Sequence, residues 1–132
     1  MKFFLMMLMF FVSLNVFCQT HLSLKDVKPD SAYENIYVKK ISDDAEQTTF
    51  VIWVKKNVRA HYHAYHSENI YVLEGKARMI VDGQTIFIKA GDYLNFPKGK
   101  VHAVLEVTSS KTLKVISVQS PKFEGKDRIF VE

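Results

Sequence analysis

The stretch from residue 61 to residue 75 reads HYHAYHSENIYVLEG. It opens with two histidines one residue apart and closes at Gly75. In an extended chain, side chains at i and i+2 point to the same face. His61 and His63 therefore stand side by side, about 7 Å apart at the backbone. The segment AYHS (64–67) suits a turn, and NIYVLE (69–74) has the β-branched and aromatic content of a strand. The reading is a strand, a turn and an antiparallel return, with Glu68 at the start of the return strand next to His63.

The same grammar continues on both sides. Before it come IYVKKI (36–41), broken by Ser42-Asp43-Asp44, then TTFVIWV (48–54) and VRAHYHAY (58–65). After it come ARMIV (77–81), which meets the hairpin turn Asp82-Gly83, and TIFIK (85–89). YLNF (93–96) runs into Pro97-Lys98-Gly99, and VHAVLEV (101–107) and TLKVISVQ (112–119) complete the series. These are about nine short strands with turns between them and no stretch of helical period, so the fold class is all-β. FVIWV and TIFI are apolar on both faces, which suits two packed sheets or a closed barrel. Trp53, Phe50, Tyr71 and Phe87 are read as core filling. Residues 35–120 form the barrel domain, residues 19–34 a linker into it, and residues 121–132 a tail that packs on the barrel or covers an edge strand.

Length and composition agree with one domain. The chain has 132 residues, 48% apolar and 24% charged. A chain of this size can bury a working core without disulfides. The net charge of +4 is mild, and Lys and Arg are scattered over strand ends and turns rather than gathered on one face. That pattern gives no footprint for nucleic acid.

The N-terminus is of another kind. After Lys2 comes FFLMMLMFFVSLNVF (3–17), too short to span a bilayer comfortably. A basic start, an apolar run and an exit at Val16-Phe17-Cys18 describe a secretory signal peptide over residues 1–18. Export to the periplasm or the exterior follows, with no stable membrane span after cleavage. The alternative is a lipid anchor on Cys18, which the bulky Phe17 suits poorly. Cys18 is the one cysteine in the chain. Its removal excludes thiolate ligation, so any metal must be held by imidazole and carboxylate.

Four of the five histidines lie between residues 61 and 102. His61, His63 and Glu68 share one neighbourhood, and His102, after the Pro97–Gly99 turn, is placed to add a fourth ligand from across the barrel. Three neutral imidazoles and a carboxylate suit one divalent transition metal, Fe, Mn, Ni, Cu or Zn. They are unlike the oxygen shell that calcium prefers. A lone histidine on a strand is more often structural, but an i, i+2 pair joined by Glu68 and His102 is not a lone histidine.

Residues 61–75 have the form H-x-H-x4-E-x6-G, and GDYLNFPKGKVH (91–102) has the form G-x5-P-x-G-x2-H. In order and spacing these resemble the two signature motifs of the cupin superfamily. The resemblance covers residues 36–119 and implies a small single-domain cupin, a jelly-roll β-barrel. The chain departs from the pattern at Lys55, where the first motif usually opens with Gly, and at Glu106, where the second usually ends in Asn. Neither position ligates metal.

Glu106 shares the parity of His102, so it is expected to point into the barrel as a second carboxylate and candidate general base. The plainer reading is a buried acid with a basic partner, or a surface carboxylate. His66 is a candidate proton shuttle, or a rim histidine with no chemical task. The three-His, one-Glu set resembles that of the quercetin and acireductone dioxygenase branches. This implies an oxygenase of a small organic molecule, in which Glu68 loosens to accept a proton. Two other readings stay open: a non-catalytic module that captures a small molecule or sugar, and a purely structural metal. Small cupins often form dimers, and the edge strand 36–41 offers a pairing surface for a homodimer.

Overall fold

The computed structural model describes residues 21–132. The signal-peptide reading of residues 1–18, and the choice between cleavage and acylation at Cys18, lie outside the described residues. The strands are β1 (Ile36–Asp43), β2 (Thr48–Val54), β3 (Val58–Tyr62), β4 (Ser67–Glu74), β5 (Lys76–Val81), β6 (Gln84–Lys89), β7 (Tyr93–Phe96), β8 (His102–Val107), β9 (Leu113–Ser120) and β10 (Ile129–Phe130). The first sheet has the order β1-β2-β9-β4-β7 and the second β10-β3-β8-β5-β6. All pairings are antiparallel. This is the all-β jelly roll that the resemblance implied.

The inner faces meet in one cluster that includes Val54, Ile70, Val72, Met79, Ile88, Leu113 and Val115. A second, smaller cluster explains why β2 is apolar on both faces. Val51 and Trp53 point outward, and Val27 and Leu24 cover them. The buried Lys114 ammonium fastens this cover by donating to the carbonyls of Leu24 (2.7 Å) and Val27 (3.1 Å). Part of the stretch read as a linker therefore packs on the first sheet. No such cover lies over two aromatics read as core. Tyr71 alternates with inward Ile70 and Val72, and Phe87 with Ile86 and Ile88, so both turn outward, with Phe87 74% exposed.

The hairpin between β5 and β6 turns at Asp82 (φ 45°) and Gly83 (φ 81°), the left-handed geometry that Asp-Gly favours. Gly75 (φ 85°) is required more strictly, because a Cβ there would stand 2.8 Å from the Thr112 carbonyl oxygen.

The structure corrects one expected connection. β3 and β4 do not form a hairpin; β3 belongs to the second sheet and β4 to the first. The N–H groups of Ala64, Tyr65 and His66 all donate to the Asp127 carboxylate, so they are not available to close a tight turn. The chain crosses the sandwich instead.

Candidate metal centre

That crossing reverses the expected placement of two ligands. His102, at the start of β8, pairs directly with His61 on β3. Glu68, in β4, faces the three histidines from the opposite sheet. His63 lies one residue past β3. All four side chains are buried, and their ligand atoms lie within 4.8 Å of one another.

The hydrogen bonds fix the tautomer of the neutral rings. His61 Nδ1 donates to the Arg59 carbonyl (2.8 Å) and His102 Nδ1 to the Lys100 carbonyl (3.0 Å). His63 Nδ1 donates to the Asp127 carbonyl. A carbonyl can only accept, so Nδ1 carries the proton in each neutral ring and Nε2 presents a lone pair. His63 Nε2 is buried without a hydrogen-bond partner. The Glu68 Oε2 atom stands 3.4 Å from His63 Nε2 and 3.2 Å from His102 Nε2. At 3.4 Å the contact with His63 is electrostatic rather than a hydrogen bond. Three lone pairs and a carboxylate oxygen thus converge, an arrangement that a cation satisfies.

The electrostatics follow the same logic. Burial pushes His61 down to about 4, only partly offset by its bond to Arg59, and the charges of His102 and Arg128 add to the depression. Burial also pulls His63 down, but the Glu68 carboxylate and the Asp127 carbonyl outweigh it and raise the ring above its ordinary value. Glu68 is pushed up by burial, yet contacts with His102 and His63 and the bond from Ser117 hold it well below the usual carboxylate range.

Residues beyond the ligands complete the site. Ser117 Oγ (2.5 Å) and Gln119 Nε2 (3.2 Å) both donate to Glu68 Oε1, leaving Oε2 for the centre. Sequence reasoning passed over this pair, although Ser117 and Gln119 share the inward parity of Leu113 and Val115, where polar side chains need a buried partner. Asp127 was also missed, and nothing in its local sequence marks it. Phe96 stacks on His102, with ring centroids 4.1 Å apart and planes at 5°.

The two other proton-transfer candidates are not part of this cluster. His66 is buried, but its Nδ1 meets Asp127 (2.5 Å) and its Nε2 donates to the Lys122 carbonyl (3.0 Å). Glu106 is exposed and pairs with Arg78 (3.0 Å) on the outside of the barrel. The expected inward parity fails at a bulge. Arg78 pairs with Glu106 but Met79 with Val104, so one extra residue of β8 inverts the faces between them.

Three of the four, His61, Glu68 and His102, line a cavity of about 80 Å³. Its polar lining is His61, Glu68, His102 and Arg128; the remainder is apolar and includes Ile52, Ile70, Leu113 and Val115.

Known proteins give a consistent picture. The cupin domain family matches residues 49–119. An uncharacterized protein of Aquifex aeolicus is 31% identical over 103 residues, covering 78% of this chain and 84% of its own. The quercetin 2,3-dioxygenase of Bacillus subtilis is 49% identical over 43 residues, covering 33% of this chain and 13% of the dioxygenase. Among solved structures, a conserved Klebsiella pneumoniae protein with a double-stranded β-helix domain superposes with a TM-score of 0.71 at 16% identity. That superposition covers 86% of this chain and 97% of the other. With the family match spanning more than half of its length and a jelly roll around three histidines and a glutamate, the chain belongs to the cupin family.

Proposed function

We propose that the protein is an exported cupin that holds one divalent transition metal through His61, His63, Glu68 and His102 and acts as an oxygenase of a small organic molecule. The convergence of four buried ligand atoms, with His63 Nε2 left without a hydrogen-bond partner, carries this reading. The short match to a quercetin dioxygenase supports oxygenase chemistry, and the N-terminal apolar run supports export. Fe, Mn, Ni, Cu and Zn all suit the donor set. A bound ion would supply Lewis acidity and, for the redox-active metals, electron transfer to dioxygen.

The chain's own residues set the conditions. Neutral imidazoles presented by the Nδ1 bonds are ready to ligate. The apolar walls exclude water and strengthen every charge interaction inside. Glu68 is committed at both oxygens, so acting as a proton acceptor requires it first to leave Ser117 and Gln119 or the quartet.

Elemental analysis of the purified protein beside His61→Ala and His102→Ala names the ion and tests the ligands. Oxygen uptake is then followed with the metal-loaded protein and a panel of enolic and catecholic compounds. No uptake with any of them ends the oxygenase reading. The second reading is a non-catalytic module for a small molecule or sugar. One observation favours it: among the described residues, the cavity's lining holds no titratable side chain besides His61, Glu68, His102 and Arg128, since His66 and Glu106 lie elsewhere. Such a module would show ligand-induced thermal stabilisation without turnover. Sedimentation of the purified protein would test pairing into a homodimer.

A further inference from the structure

The tail contributes one group to the cavity that the chemistry above leaves idle. Arg128 lines the cavity with His61, Glu68 and His102. The chain is anchored on either side of it. Before it, the Asp127 carboxylate accepts from the N–H groups of Ala64 (2.8 Å), Tyr65 (2.7 Å) and His66 (3.0 Å). After it, Ile129 pairs with Tyr62, Phe130 pairs with His61, and Val131 N donates to the Ala60 carbonyl (3.1 Å). One further step of that antiparallel register sets Arg128 opposite His63, and residues directly opposite share a face. The backbone therefore holds Arg128 on the ligand side of β3.

The other arginines of the site region are engaged. Arg59 lies over the Phe130 ring (4.9 Å) and Arg78 pairs with Glu106 (3.0 Å). Arg128 has neither an ion-pair nor a hydrogen-bond partner among the described residues. Its charge reaches the centre, where it helps to depress His61. A guanidinium without a protein partner, on a backbone held at both sides and at the exposed end of a cavity that is apolar apart from His61, Glu68 and His102, is a receptor for an anion with an apolar body. The cavity, about 80 Å³, is smaller than the ~150 Å³ apolar cavity that admits benzene. A body of a few aliphatic carbons suits it better than an aromatic ring.

We propose that Arg128 is the anion-recognising residue of this cavity and that the ligand is a short aliphatic 2-oxo acid, its carboxylate on the guanidinium and its carbon chain in the barrel. This rests on the reading that the quartet serves a small organic molecule. It deepens that reading by naming the class, since 2-oxo acids enolise and carry the negative charge that no described residue pairs with Arg128.

The test is calorimetric titration of the zinc-loaded protein with 2-oxobutanoate and with its uncharged methyl ester. The acid is expected to bind about tenfold or more tightly than the ester. Arg128→Gln should abolish that preference while leaving ester binding and zinc uptake unchanged, and Arg128→Lys should restore part of it. No binding of the acid to the wild-type protein, equal binding of acid and ester, or a preference that survives in Arg128→Gln overturns the proposal. Failure of the oxygenase reading is distinguishable. It appears as no oxygen uptake by iron- or copper-loaded protein with 2-oxobutanoate, while the Arg128-dependent preference persists. If the protein takes up no zinc, the same acid and ester comparison on the metal-free protein decides for or against Arg128.

Discussion

Ser117 holds Glu68 by the oxygen that does not face the histidines, so its hydroxyl orients a ligand it does not replace. Partners of this kind typically contribute ten- to a hundredfold to metal affinity. Ser117→Ala should therefore weaken metal binding by roughly tenfold or more while the fold persists, as measured by competitive titration with a chromogenic chelator beside circular dichroism. The clustering of His61, His63, Glu68 and His102 was legible in the sequence because residue type and spacing both constrain them. An i, i+2 pair on a strand can only share a face, and few folds then bring a Glu and a distant His to it. Their arrangement was not legible, since the sequence alone did not say which sheet each strand would join. Glu106 was misplaced because parity counting assumes an unbroken pleat, and a bulge in β8 inverts it.

At the scale of elements, the close fit between the end of β4 and the start of β9 makes Gly75 a point of little tolerance. Its φ of 85° disfavours any side chain, and a Cβ would meet the Thr112 carbonyl and the Leu113 Cα at 2.8 and 2.9 Å. Backbone atoms on a paired strand cannot step aside as a flexible side chain could. Gly75→Ala should cost on the order of 1–3 kcal/mol, seen as a lower urea midpoint with an unchanged slope. Strand existence was legible from β-branched content and turn residues throughout 36–119. The short β10 was not, because two residues of pairing leave too small a signal, although a β-prone run was visible at the end of the tail. Its position depends on Asp127, whose carboxylate satisfies three consecutive N–H groups that no local pattern announces.

For the whole molecule, the sandwich brings candidate ligands from both sheets to one point, so an ion bound there would tie the sheets together. A ligand that binds only the folded state at a hundred times its dissociation constant adds about 2.7 kcal/mol of stability. Metal loading should raise the melting temperature by several degrees, a chelator should reverse the shift, and His61→Ala should show neither effect in calorimetric scans. Two packed sheets or a closed barrel were legible because strands apolar on both faces need cover on two sides, and the jelly roll was implied by the resemblance of residues 61–75 and 91–102 to the cupin motifs. What covers β2 was not, since Val27 and Leu24 sit in a segment without strand or helix periodicity. The bond from the His63 ring to the Asp127 carbonyl has a final consequence. Filling the centre and seating the last residues of the chain are thermodynamically linked, and such linkage acts equally in both directions. Resistance of the C-terminal end to carboxypeptidase should therefore report whether the centre is loaded, and shearing that end away should loosen the ion's hold.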